Sequence, residues 1–226
     1  MRNTLRPLVA EAVGTFFLVF CGVGAIVTDI YRAGSVGLLG IAIAHGVALG
    51  IAITATMNIS GGHLNPAVTL GALSIGRIDV RKAISYIIAQ LAGASIAVLA
   101  IKGLYPEMAG QISGYGAPRL ANDVSTVQGI VIEAILTFML AFAVMGTVVD
   151  SKTPKVGGFG VGLIVMCGIL AGGQMTGGAM NPARAFGSMV VAWQWTGALI
   201  YWIGPVLGAV VAAQLYDRVL MEKAES

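Results

Sequence analysis

Long apolar runs alternate with short polar ones along this chain, each run near the roughly 20 residues that a helix needs to cross a bilayer. They fall near 8–28, 36–57, 83–102, 127–149, 157–173 and 197–217 and predict six spanning helices. Two further segments break the pattern. Each follows a stretch of Gly and polar residues, opens on Asn-Pro-Ala, and continues for only about nine apolar positions, roughly half the hydrocarbon thickness at helical rise. Asn is a favoured N-cap, and Pro suits the first helical position because its missing N–H is not needed there. Asn65-Pro66-Ala67 and Asn181-Pro182-Ala183 therefore read as the starts of two half-helices.

The pattern is also written twice. Glu11-Ala-Val-Gly-Thr-Phe-Phe-Leu-Val-Phe20 returns as Glu133-Ala-Ile-Leu-Thr-Phe-Met-Leu-Ala-Phe142, an offset of 133 − 11 = 122. Ser60-Gly-Gly-His-Leu-Asn-Pro-Ala returns as Thr176-Gly-Gly-Ala-Met-Asn-Pro-Ala, offset 176 − 60 = 116, and Tyr86 with Gly93 returns as Tyr201 with Gly208, offset 115. Repeat one covers about 1–104 and repeat two about 125–220, within a single transmembrane domain spanning 1–226. Three spans per repeat turn the second copy upside down, and inverted repeats place a shared site near the midplane, at interrupted helices.

Composition agrees with an all-α membrane protein. Charged residues make up 10% of the 226 residues and hydrophobic ones 57%, too few charges to cover a soluble domain of this size. No cleavage site follows the first apolar run, so no removable signal peptide is expected. Net charge +3 is no nucleic-acid footprint; it follows topology instead. With the N-terminus in the cytoplasm, Arg2, Arg6, Arg77, Arg81, Lys82, Lys152, Lys155, Arg218 and Lys223 lie inside, against Arg32, Lys102, Arg119 and Arg184 outside. That bias places both termini in the cytoplasm. Cys21 and Cys167 fall inside spans, where a buried small hydrophobe is expected rather than a disulfide.

The candidate chemistry sits around the half-helices. If each Asn oxygen caps an N–H of Val68 or Arg184, both NH₂ groups stay free to donate into a lumen, backed by two positive helix ends. Such a site suits a neutral acceptor and repels cations. The unwound residues Gly61, Gly62 and His63, with Gly178, Ala179 and Met180, are expected to line a wet cavity with their carbonyls, because unpaired backbone cannot face lipid. Glu11 and Glu133 are read as acceptors for loop N–H groups rather than as a proton relay. Gly46 with Gly50, and Gly204 with Gly208, are expected helix-packing sites.

On these paired motifs the whole chain resembles the aquaporin, or major intrinsic protein, family. The resemblance implies a right-handed bundle of six transmembrane helices with two re-entrant half-helices, a homotetramer with one pore per subunit, and no cofactor or metal. It implies a selectivity filter at His45, Ile169, Gly178 and Arg184, counted from the two Asn residues. Exclusion by an Arg and by half-helix dipoles is the known basis of selectivity in aquaporin-type pores. This set looks like the plant tonoplast-intrinsic branch, some members of which pass ammonia as well as water, although Ser188 stands where that branch has Pro. The short N-terminus looks microbial and suggests a microbial plasma membrane. Ala185 and Trp202 resemble the water-selective rather than the glycerol-facilitating pattern.

The rival classes are a glycerol- or urea-type facilitator, a coupled secondary transporter, and a closed structural member of the family. A transporter needs a titratable group at the substrate site, where this chain offers two amides. No nucleophile–base pair or phosphate loop suggests an enzyme.

Overall fold

The computed structural model describes residues 2–152 and 156–222, with side chains from residue 5 onward. Of the basic residues assigned above to the cytoplasm, Lys155, Lys223 and the Arg2 side chain lie outside the described part. The six spans are α1 (Arg2–Tyr31), α2 (Gly37–Ser60), α4 (Val80–Leu104), α6 (Thr126–Val144), α7 (Phe159–Thr176) and α9 (Ile200–Leu215). The half-helices are α3 (Pro66–Ser74) and α8 (Pro182–Ala192), and a short α5 (Glu107–Ile112) lies in the central connection. Wide turns over Met145–Val149 and Tyr216–Leu220 extend α6 and α9. Each predicted span matches one helix, and the observed helices run a few residues longer at most ends.

The ends are set locally. Asp79 caps α4 through the Lys82 N–H, and Ser125 with Gln128 forms a capping box on α6. Gly61 and Gly177 stop α2 and α7 in the left-handed conformation that glycine adopts without steric cost.

In each repeat the first span packs on the second and third: α1 on α2 and α4, α6 on α7 and α9. The repeats join in two ways. Helix α2 lies along α7, where a side chain on Gly46 or Gly162 would run into the facing backbone carbonyl. The half-helices cross over, with α3 seated on α9 and α8 on α4. Equivalent glycines make these crossings possible: a Cβ on Gly71 would lie 3.0 Å from the Ala209 carbonyl oxygen, and one on Gly187 2.7 Å from that of Ala94. Gly93 and Gly208 likewise clear the carbonyls of Ala12 and Ala134. With little hydrophobic force between helices in lipid, such backbone approach supplies the packing energy.

The outer surface is apolar. Val9, Val13 and Phe17 on α1, and Ile203, Leu207 and Val211 on α9, stand exposed at helical spacing. Cys21 and Cys167 belong to this surface. Both are free and exposed, not buried as expected, because each continues an outward stripe four residues beyond Phe17 or Leu163. Near the end of α9, Arg77 pairs with Asp217 at 3.4 Å, Lys152 pairs with Glu222, and the Tyr216 hydroxyl donates to Asp150.

Gly208→Val tests the seam between α6 and α9. A Cβ there collides with the Ala134 carbonyl and sits 2.8 Å from Phe138 N. Overpacking of this kind costs about 1–3 kcal/mol, so thermal unfolding in detergent should begin several degrees lower. An unchanged midpoint would show that the seam tolerates a side chain.

Candidate functional site

The two loops ahead of the half-helices share one unusual backbone. Gly61, Gly62 and Leu64 have φ of 97°, 63° and 50°, and Gly177, Gly178 and Met180 repeat this with 89°, 54° and 51°. Glycine takes such angles freely, but Leu64 and Met180 hold them at a cost of about 1–3 kcal/mol each. Buried carboxylates hold the loops in place. Glu11 accepts the N–H groups of His63 (3.0 Å) and Leu64 (2.7 Å), together with the Ser60 hydroxyl and the Gln90 amide. Glu133 accepts those of Ala179 (2.9 Å) and Met180 (2.8 Å) and the Thr176 hydroxyl. Tyr86 and Tyr201 donate to the carbonyls of Ser60 and Thr176 and fasten the loop entrances. The two tyrosines mark the repeat in the sequence, but their role as clamps had no sequence signal.

With the loop N–H groups turned toward the carboxylates, the last carbonyls face the opposite repeat. Asn65 Nδ2 donates to the Met180 carbonyl and Asn181 Nδ2 to the Leu64 carbonyl, both at 2.9 Å. The two half-helices thus begin side by side, each tied to the other's loop. This corrects one expectation: the amides are not both wholly free, since each has one hydrogen committed across the junction. A second correction concerns the caps. Asn181 Oδ1 accepts from Ala183 and Arg184, whereas Asn65 Oδ1 accepts from Ala67 rather than Val68.

Three cavities lie about this junction. A vestibule of about 240 Å³ on the face of Arg77 is lined by Gly61, His63 and Val68 among others. A vestibule of about 500 Å³ opens on the far face beside His45, Ile169 and Arg184. Between them a chamber of about 20 Å³ touches Asn65 and Asn181 and has Gly178, Ala179 and Met180 in its wall. That volume is room for about one water. Gly62, expected as pore-lining, borders none of these three cavities. Its Cα side packs against Ile53 and Met57, where a Cβ would lie 3.2 Å from the Ile53 carbonyl.

His45, Ile169 and Arg184 border both the chamber and the far vestibule, so the narrow passage runs between them. His45 Nδ1 lies 2.9 Å from the Ile41 carbonyl, which makes it the donor and leaves Nε2 as an acceptor 3.4 Å from Arg184 Nη2. Arg184 Nη1 donates to the Gly116 carbonyl at 2.7 Å. Sequence reasoning missed Gly116. It lies in a tight turn after α5, where Gly114, Tyr115 and Gly116 all have positive φ; the local Gly-Tyr-Gly-Ala-Pro string was the available signal.

The repeats also differ in the side chains around the first loop. His63 Nδ1 and Gln90 Nε2 both meet the Thr69 hydroxyl, at 3.1 and 3.0 Å. The matching positions in repeat two hold Ala179, Pro205 and Ala185, which cannot form this network.

A family model described as Major intrinsic protein matches residues 1–216. The chain belongs to the major intrinsic protein, or aquaporin, family. "Aquaporin TIP4-4" of Zea mays is 41% identical over 225 residues, covering 96% of this chain and 87% of that protein. "Probable aquaporin TIP3-2" of Arabidopsis thaliana is 40% identical over 238 residues, covering 97% and 85%. The X-ray structure of the aquaglyceroporin from Plasmodium falciparum superposes with a TM-score of 0.83 at 30% identity, covering 96% of this chain and 97% of that one. The chain is thus an integral, multi-pass membrane channel of the aquaporin fold. Both of these sequence relatives come from plants, and the similarity does not favour the microbial membrane suggested by the short N-terminus.

Replacing Glu133 by Gln turns one acceptor into a donor facing another donor. Hydrogen bonds to a charged group contribute about 1.5–3 kcal/mol each. Glu133→Gln should therefore lower thermal stability and channel activity together; wild-type values for both would refute the scaffolding role.

Proposed function

We propose that this aquaporin-family chain is a passive pore for water that also passes ammonia, and that it excludes protons and ions. The cross-tied asparagines carry this reading. They supply amide hydrogens beside the small chamber that Asn65 and Asn181 both border, backed by the positive ends of α3 and α8. A water in the chamber accepts from these donors, and its own hydrogens turn away toward the two vestibules. A proton relay through that point lacks an acceptor in the right orientation. Cations meet two helix N-termini and the fixed charge of Arg184.

The outer constriction sets the cargo. His45 and Arg184 offer polar contacts to a small neutral solute, while Ile169 and Gly178 leave more room than larger side chains would. This arrangement favours water and ammonia over glycerol. The names of the plant relatives agree with such a pore. A coupled transporter is disfavoured because Glu11 and Glu133 are buried and occupied by loop donors, away from the lumen. By resemblance the chain forms a homotetramer with one pore per subunit. The basic face is cytoplasmic and carries both termini. Water and small neutral solutes, with the lipid bilayer, are the partners.

Stopped-flow permeability to water and ammonia in the same proteoliposomes tests the proposal. Both should exceed protein-free vesicles and neither should saturate or respond to a pH gradient. Arg184→Ala removes a fixed charge and two donors from the constriction. If that lowers the barrier to urea by about 1.4 kcal/mol, urea flux rises about tenfold; unchanged urea exclusion would remove Arg184 from the filter.

Mercurials give a separate check. Neither cysteine borders the three cavities. Wild-type water flux should resist mercurials, and Ala179→Cys, placed in the chamber wall, should be blocked. Strong block of the wild type that survives Cys167→Ser would contradict this placement.

A further inference from the structure

We propose that Gly22 on α1 is a positioning residue that sets the place of the His45 ring and, through it, the width of the outer constriction. The inference rests on the pore reading above, but its geometry stands by itself. Gly22 is buried mid-helix with ordinary helical backbone, so no turn or left-handed angle calls for glycine there. Glycine weakens a helix interior relative to alanine, and a glycine kept in such a place needs another reason. The reason lies opposite. A Cβ at this position would overlap the His45 ring, with Cδ2, Nε2 and Cε1 as its three nearest atoms and Cε1 only 2.6 Å away.

The ring cannot yield without breaking something. Its Nδ1 is held 2.9 Å from the Ile41 carbonyl on its own helix, and its Nε2 faces Arg184 Nη2 at 3.4 Å. Open space beside the ring is the lumen that His45 borders together with Ile169 and Arg184. A methyl on Gly22 therefore drives the ring into the passage or off its Arg184 contact. By contrast, the hydrogen of Gly22 lets the ring lie flush against α1. The aperture thus depends on a residue that lines none of the three cavities. The sequence gives no sign of this role, because a helical glycine in an apolar run looks like a packing site.

Gly22→Ala, His45→Ala and the double variant test this in full-length protein. The chain has two histidines, so nitrogen-15 histidine labelling in bilayers resolves His45 against His63 as an internal reference. Gly22→Ala should shift the His45 ring signals and leave those of His63 in place. In proteoliposomes it should cut water flux about threefold or more and ammonia flux by a larger factor, since strain spent at a constriction acts on the barrier. A variant that merely folded poorly would lose both fluxes in proportion. Once the ring is gone the methyl has nothing to strike, so the double variant should match His45→Ala in both fluxes.

Unmoved His45 signals in Gly22→Ala would overturn the proposal, whatever the flux. So would a double variant well below His45→Ala, because Gly22 would then be acting on something else. Wild-type vesicles no faster than protein-free ones would instead refute the water-pore reading, and the ring signals would still decide this one.

Discussion

Two amide-to-carbonyl bonds hold this channel together at its centre. Asn65 donates to Met180 and Asn181 to Leu64, each across more than a hundred residues of sequence. A buried carbonyl without a partner in a membrane interior costs several kcal/mol. The ties therefore satisfy two strained loops and join the repeats in one step. They also bring Asn65 and Asn181 to the wall of one small chamber, because each Asn oxygen caps its own helix while its amide reaches the opposite loop.

The rest of the site follows from that junction. The loop carbonyls can reach across only because Glu11 and Glu133 take the loop N–H groups from behind. The carboxylates can do so only because α1 and α6 pass close behind the loops, with α4 and α9 packed against them through Gly93 and Gly208. The unfavourable angles of Leu64 and Met180 are thus over-determined by their surroundings, the condition under which strained backbone persists at functional sites.

Symmetry ends at the two mouths. Repeat one adds the His63, Thr69 and Gln90 network beside the vestibule on the face of Arg77. On the other face Arg184 replaces Val68, and its guanidinium is anchored by Gly116 from the connection between repeats. An inverted repeat supplies a symmetric midplane, while non-equivalent residues at the ends give the two mouths different linings.

Much of this was legible in the residues themselves. Six apolar runs, the doubled Asn-Pro-Ala and the near-constant offsets determined the spans, the half-helices and the inverted pairing, because helix length and N-cap chemistry are local properties. The acceptor role of Glu11 and Glu133 could be read from their symmetry and from the unwound loops expected beside them. Tertiary structure decided what local pattern leaves open: that Asn65 caps Ala67 rather than Val68, and that each amide is half spent on the opposite loop. It also turned Cys21 and Cys167 outward and brought Gly116 to Arg184 and Gly22 to His45. Apolar spans are hydrophobic on both their lipid and their core faces, so periodicity carries little information about which way each residue points. That information arises only when the helices close around one another.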